Sequence, residues 1–306
     1  IQSGNRRKLE VKKLVKDRES LIGWIFTLPA IIYMAILVGY SIIYNIVLSL
    51  QNVTMKNING ERLFVALDNY VSIFKTEEMA WALKNTFTFT LISIAFQFIL
   101  GMSLALLFSK NVRGLKAMRG IVVISYLMPN VVTALLFKYM LSPDAGIIDK
   151  ILKSIGIINN SVGWLQNTET ALCGPIFANV WAQTPFIMLL LTTGLANIPQ
   201  EINESSSLDG ANALQRFLFI TLPMLKNSIF AVMMIGFMYT FKVFDLIWTM
   251  TGGGPVYATE VLSTYAYKLS FSSFKFSQGA ACANVLFVCL LLVSLFYRHL
   301  IGKEDK

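Results

Sequence analysis

Six apolar runs of membrane length set the terms for this chain. They span roughly residues 21–48, 87–109, 120–141, 171–195, 228–250 and 279–297. Hydrocarbon about 30 Å thick needs about 20 apolar residues to be crossed by a helix. Lipid offers no partner for exposed backbone N–H and C=O groups, so such runs fold as helices or as closed barrels. The regular alternation of barrel strands is absent, so the expected fold class is an all-α integral membrane protein with six transmembrane helices. Composition agrees: 14% of residues are charged, against about 25% in soluble domains, and mean hydropathy is +0.61.

The net charge of +9 is distributed as topology rather than as a nucleic-acid footprint. Seven of the 26 Lys/Arg lie in residues 1–20 and four in the short loop Lys110–Arg119. The connections 51–86, 142–170 and 252–278 are poorer in basic residues for their length. The positive-inside bias therefore expects a multi-pass protein of the cell membrane. Both termini and the 199–226 loop would be cytoplasmic, and the basic groups would meet membrane lipid. The first apolar run is too long for a signal-peptide core. Cys173, Cys282 and Cys289 fall within expected spans and are read as buried thiols. The expected organisation is a basic tail (1–20), one six-helix domain (21–297) and a short tail (298–306).

Several local features refine this plan. Pro29 implies a kink in span 1, and Pro129 lies inside span 3. Segment 51–86 carries Phe64, Tyr70, Phe74 and Trp81, and reads as a cap lying on the membrane surface. Ile147, Ile148, Ile151, Leu152 and Ile155 recur at helical spacing, so an amphipathic helix should end near Gly156. No G-x-x-x-x-G-K-[ST] stretch is present. His299 sits beside Arg298 as an interface residue, and Gly252-Gly253-Gly254-Pro255 reads as a turn. No catalytic set, metal site or cofactor bound by the chain itself is expected, so the chain reads as a non-enzyme.

One polar island interrupts the apolar pattern. Pro199 closes span 4, and Gln200–Leu208 can form about two helical turns. Asp209-Gly210 then breaks the helix, with Gly as a left-handed cap. Leu214, Phe217, Leu218 and Leu222 can carry a second helix back towards Pro223. A short helix held by breakers at both ends can transmit a push as a rigid lever, which makes the island a docking surface.

These residues also carry a resemblance. Glu204-Ser205-Ser206-Ser207-Leu208-Asp209-Gly210-Ala211, with Phe217 and Ile220-Thr221-Leu222-Pro223, resembles the EAA loop of binding-protein-dependent ABC importer permeases. Ser205 and Ser206 stand where that pattern has two alanines. Phe244-Asp245-Leu246-Ile247 before Thr251-Gly252-Gly253-Gly254-Pro255 is similar to the carbohydrate, maltose-type branch, as are Asn69-Tyr70 and Trp164-Leu165. The resemblance implies a type I ABC importer permease fold with a cytoplasmic EAA coupling helix. It implies a second homologous permease subunit as a heterodimer partner, and a dimer of cytoplasmic ATPases carrying ATP and Mg. It also implies an extracellular solute-binding protein and a sugar or oligosaccharide substrate moved by alternating access. Glu201, Glu204, Ser205, Ser206, Asp209, Gly210, Ala211 and Pro223 would couple to the ATPase.

Polar groups within spans are candidate sites. Asn179, Ala182, Gln183 and Phe186 share one helical face, as do Gly236, Tyr239, Thr240 and Val243. In the maltose-type family the helices flanking the coupling loop line the sugar site. Asn179, Gln183, Phe186, Tyr239, Thr240 and Val243 are accordingly the candidate substrate-binding residues. The competing reading is hydrogen bonding between helices. Lys242 and Asp245, three apart, read as a neutralising pair. Alternatives for function are the same machine for an osmolyte, peptide or phosphate ester, and a secondary transporter, which would require inverted repeats or midplane carboxylates.

Overall fold

A computed structural model describes residues 23–302, apart from Asn111 and Asp144. The expected 1–20 tail and the last four residues lie outside the described residues. The chain there is helical, and the only extended pairing among the described residues is the single bridge Gln51–Phe64. Four helices are long and apolar enough to cross a membrane, or up to six if two sharply bent helix pairs each count as one span.

Helix α1 (Gly23–Ser49) runs through Pro29 without interruption. Its irregularity is a π-turn at Ala35–Gly39. Its first half is exposed along its length, including Trp24, Phe26 and Tyr33, while its last turns are tied down by polar side chains. Asn45 Nδ2 donates to Asn284 Oδ1 (2.6 Å), and Asn284 Nδ2 donates to Ser49 Oγ and Tyr70 Oη (both 3.0 Å). Helix α2 (Asp68–Phe74) joins this network through Asn69 Nδ2, which donates to the carbonyls of Ser49 and Gln51 (both 2.8 Å). Interhelical hydrogen bonds of this kind hold helices together where apolar contact alone cannot favour protein over lipid.

The expected cap over 51–86 keeps Phe64 and Phe74 exposed, but it is corrected at Tyr70 and at its end. Tyr70 turns inward to the α1 network, and residues 77–86 open helix α3 (Glu77–Phe108), ten residues before span 2 was expected to begin. Polar residues hid this start: Thr76 Oγ1 caps the helix by accepting from Met79 N (3.3 Å), and Glu77 and Glu78 favour the positive end of its dipole.

Span 3 is not continuous. Helices α4 (Leu115–Leu127) and α5 (Asn130–Met140) meet at 96°. Pro129 cannot donate to the ladder, and it forces Met128 into an extended conformation. Helix α6 (Ile147–Ser154) matches the expected amphipathic helix, followed by Gly156 at φ 75°. Helix α7 (Cys173–Ala196) matches span 4. Helices α8 (Gln200–Leu208) and α9 (Ala213–Met224) build the polar island. Helix α10 (Lys226–Phe241) leaves α9 at 71°.

Span 5 also breaks. Helix α10 stops at Phe241, and a separate helix α11 (Asp245–Thr251) follows after three residues. Helix α12 (Leu262–Tyr267) precedes helix α13 (Phe276–Gly302), which extends past both expected ends of span 6. The first residues of the expected C-terminal tail thus continue this helix.

The core lies where α7 packs on α3, the most extensive helix contact in the chain. Gly101 makes the close approach possible, since a Cβ there would sit 2.8 Å from Ile187 Cγ2 and 3.3 Å from the Met188 backbone nitrogen. Ile187, Met188 and Leu191 pack with Met102, Leu225 and Val232 in one apolar cluster. Phe89, Ile176, Leu246, Ile247 and Met250 form a second. Small residues at such contacts let membrane helices gain dispersion energy over long stretches.

Candidate functional site

The island is built by local chemistry. Pro199 precedes α8, and Gly210 at φ 82° ends it. Asn212 and Gln215 then form a reciprocal capping box, each side chain accepting from the other's backbone N–H at 2.9 Å. Arg216 Nη1 donates to Ser207 Oγ (2.7 Å), fastening α9 back onto α8. Glu201, Glu204, Ser205, Asp209, Gly210 and Pro223 are exposed, Ala211 is half-buried, and Ser206 is buried. Leu208 (89% exposed) and Phe219 (76%) are large apolar groups held out with them.

Of the six candidate solute contacts, the structure brings together Phe186 and Tyr239. Their rings meet edge-on at 6.0 Å. Tyr126 of α4 also stacks on Phe186, at 5.4 Å, and Lys242 Nζ lies 5.3 Å from the centroid of Tyr239. Gln183, half-buried, is on the same face of α7 as Phe186. Tyr239 is half exposed at 52%, so the row has an open edge.

The remaining three candidates turn away from that edge. Asn179 and Thr240 are each 2% exposed, and Asn179 Nδ2 and Thr240 Oγ1 are buried without a hydrogen-bond partner. Val243 packs against the Phe89 cluster, and its carbonyl accepts from Ser263 Oγ (2.6 Å). The expected Lys242–Asp245 pair does not form. The break after Phe241 places Asp245, exposed, at the first residue of α11, where a carboxylate favours the positive end of the helix dipole. Lys242 lies over Tyr239 instead.

Sequence reading missed two components. Tyr126 could not be placed because its position depends on the Pro129 break. Thr90, Ser93 and Gln97 are fully buried on one face of α3, with unpartnered Thr90 Oγ1, Ser93 Oγ and Gln97 Oε1. Gln97 Nε2 donates to the Asn179 carbonyl at 3.4 Å. Their spacing of three and four in an apolar run was a legible signal.

At the far end of α11 the chain forms a tightly fastened turn. Gly252 and Gly253 take φ 61° and 89°, and a Cβ on Gly253 would fall 2.3 Å from Glu260 Oε2. Glu260 is fully buried, pairs with Lys268 and accepts from Thr264 Oγ1 (2.7 Å). Asn85 Nδ2 donates to the carbonyls of Tyr257, Ala258 and Glu260 at 3.0–3.1 Å. Tyr257 Oη donates to Glu78 (2.9 Å), a bond that raises the phenol above its ordinary pKa. A second knot surrounds Asp149. Burial pushes its carboxyl up, yet donors from Ser161 Oγ (2.5 Å), Trp164 Nε1 (2.6 Å) and Val162 N (3.2 Å) outweigh that and hold it below the ordinary range.

Broken, closely packed membrane helices, an exposed two-helix loop and an aromatic row on the helices that flank it define a membrane transport subunit. The chain belongs to the family of binding-protein-dependent transport system inner membrane components, whose profile matches residues 97–304. It is 31% identical to the trehalose/maltose transport system permease protein of Thermococcus litoralis, over 92% of this chain and 94% of that protein. It is 29% identical to the trehalose transport system permease protein of Mycobacterium tuberculosis, over 93% and 90%. A bacterial ABC transporter chain involved in import of the acidic polysaccharide alginate superposes with a TM-score of 0.81 at 25% identity, covering 96% of this chain and 100% of that one. The fold is that of a type I ABC importer permease, and the chain is the membrane-embedded permease subunit of a binding-protein-dependent ABC importer.

Proposed function

We propose that this permease carries a sugar or oligosaccharide into the cytoplasm by alternating access, with solute passing the Phe186–Tyr239 row. One observation carries the reading: the coupling loop is the direct covalent link between α7 and α10, the two helices that bear Phe186 and Tyr239. A movement imposed on α8 is thus delivered to both walls of the row. Aromatic faces suit sugar rings, and the Gln183 amide can both donate to and accept from sugar hydroxyls. The relatives named for trehalose, maltose and alginate transport support this substrate class.

The loop around Glu201, Glu204, Ser205, Ser206, Asp209, Gly210, Ala211 and Pro223 docks on a cytoplasmic ATPase dimer that binds ATP and Mg. Both termini then lie in the cytoplasm, and hydrolysis belongs to those subunits rather than to this chain. The exposed first half of α1 faces lipid and a second, homologous permease subunit, and an extracellular binding protein delivers solute at the Gly252–Gly254 side. Asn179, Thr240 and Val243 are demoted to supports of the α7 and α10 packing in the conformation observed. Uptake of radiolabelled sugars by the reconstituted complex tests the row: Gln183→Ala and Tyr239→Ala raise the apparent KM with assembly intact. An unchanged KM in both variants contradicts the assignment.

A further inference from the structure

A cavity of about 760 Å³ lies behind the coupling loop, between the ends of α3 and α7 and the start of α9. Its walls are partly apolar, with Leu106, Leu195 and Phe217, and two cations line it, Lys110 and Arg216. No acidic side chain lines it among the described residues, and neither cation pairs with a carboxylate there. Arg216 is the more telling of the two. Its Nη1 is spent on Ser207 Oγ, but its Nε is shut off from solvent with no partner. A buried donor left unmade costs about 1–3 kcal/mol, more on a charged group, and the described residues supply no acceptor for it.

We propose that this cavity binds a phosphate-bearing anion and that occupancy regulates the coupling loop. Two cations with no opposing carboxylate match the double charge of a phosphate monoester better than the single charge of a carboxylate. The guanidinium offers a planar fork to phosphate oxygens, and Lys110 offers a point charge. The apolar wall accepts the organic body of the ligand. The bound group would be wedged between the helices that the loop drives and the loop itself. It would reach α8 through the Arg216–Ser207 bond and so stiffen the joint through which motion passes. The regulatory half rests on the coupling role proposed above; the binding half does not.

Thr221 and Ala213 both line the cavity, so Thr221→Cys and Ala213→Cys report occupancy by their rate of maleimide labelling in the complex with its ATPase subunits, corrected for the native cysteines. Two probes are compared with phosphatidylcholine vesicles alone: phosphatidic acid added to the vesicles, and glucose 6-phosphate in solution with glucose as control. The expected result is labelling slowed several-fold by one probe, with the slowing abolished by Arg216→Gln and weakened by Lys110→Gln. Protection by phosphatidic acid alone identifies a lipid headgroup as the ligand; protection by glucose 6-phosphate alone identifies a free anion. Unchanged labelling at both positions with both probes, or protection that survives Arg216→Gln, overturns the proposal. ATP hydrolysis by the same samples tests the regulatory half separately: a rate changed by the protecting probe supports it, and an unchanged rate with protection intact overturns that half alone.

Discussion

The glycine turn around Glu260 and the loop around Glu204 are both elaborate connections of this permease, and they are held in opposite ways. The turn is bolted into the bundle by contacts from far along the chain: Asn85 reaches three carbonyls more than 170 residues away, and Tyr257 reaches Glu78 from 179 residues on. In the loop, Asn212, Gln215 and Arg216 bond to residues no more than nine positions off, while Leu208 and Phe219 stand in the open. The turn spends its side chains on its own fold. The loop is shaped locally and leaves Glu201, Glu204, Leu208 and Phe219 exposed.

Substitutions should separate the two regions by kind of damage. The largest effect on stability is expected from Glu260→Ala, which strands Lys268 beside a buried site. Removing one partner of a buried pair costs about 3–5 kcal/mol, and with Lys268 31% exposed the lower end applies. Thermal unfolding in detergent and membrane abundance read it. Asn85→Ala follows, at about 1–3 kcal/mol, since two buried carbonyls and one partly buried carbonyl lose their donor. An Asn85→Ala protein as stable as the parent would erase the contrast. Gly253→Ala, at about 1–3 kcal/mol, forces a Cβ into Glu260 at a left-handed φ.

At the loop the expected stability changes are small. Glu204→Lys falls within about 0.5 kcal/mol of the parent, as exposed substitutions do, yet it should lose binding-protein-stimulated ATP hydrolysis. Ser205→Ala is the mildest: it removes a weak bond to the Ile202 carbonyl (3.3 Å) and restores the small residue usual in the motif. Coupling should be retained, as measured by ATPase stimulation in proteoliposomes.

The same contrast decides what the sequence could reveal. The loop was legible because its determinants are neighbours: Pro199, Gly210 and the residues between them set α8 without outside help. The amphipathic α6 was legible for the same reason. The glycine turn was recognisable as a turn, but Asn85 and Glu260 gave no sign of their role, because their partners are set by tertiary packing. Breaks within apolar runs were the other blind spot. Pro129 was visible, though its 96° consequence was not. Nothing in Phe241-Lys242-Val243-Phe244 announced the end of α10, so Lys242 and Asp245 read as a helical pair. The aromatic row was half legible, since Phe186 and Tyr239 follow helical spacing while Tyr126 arrives through the bend.

Affinity capture of the ATPase subunit by the Glu204→Lys permease, with the parent and Glu260→Ala beside it, tests the division most directly. The account predicts a monodisperse, normally melting Glu204→Lys protein that recovers little ATPase, and a destabilised Glu260→Ala protein whose remaining folded fraction still recovers it. Full ATPase recovery by Glu204→Lys at unchanged stability would contradict the assignment of this loop as the coupling surface.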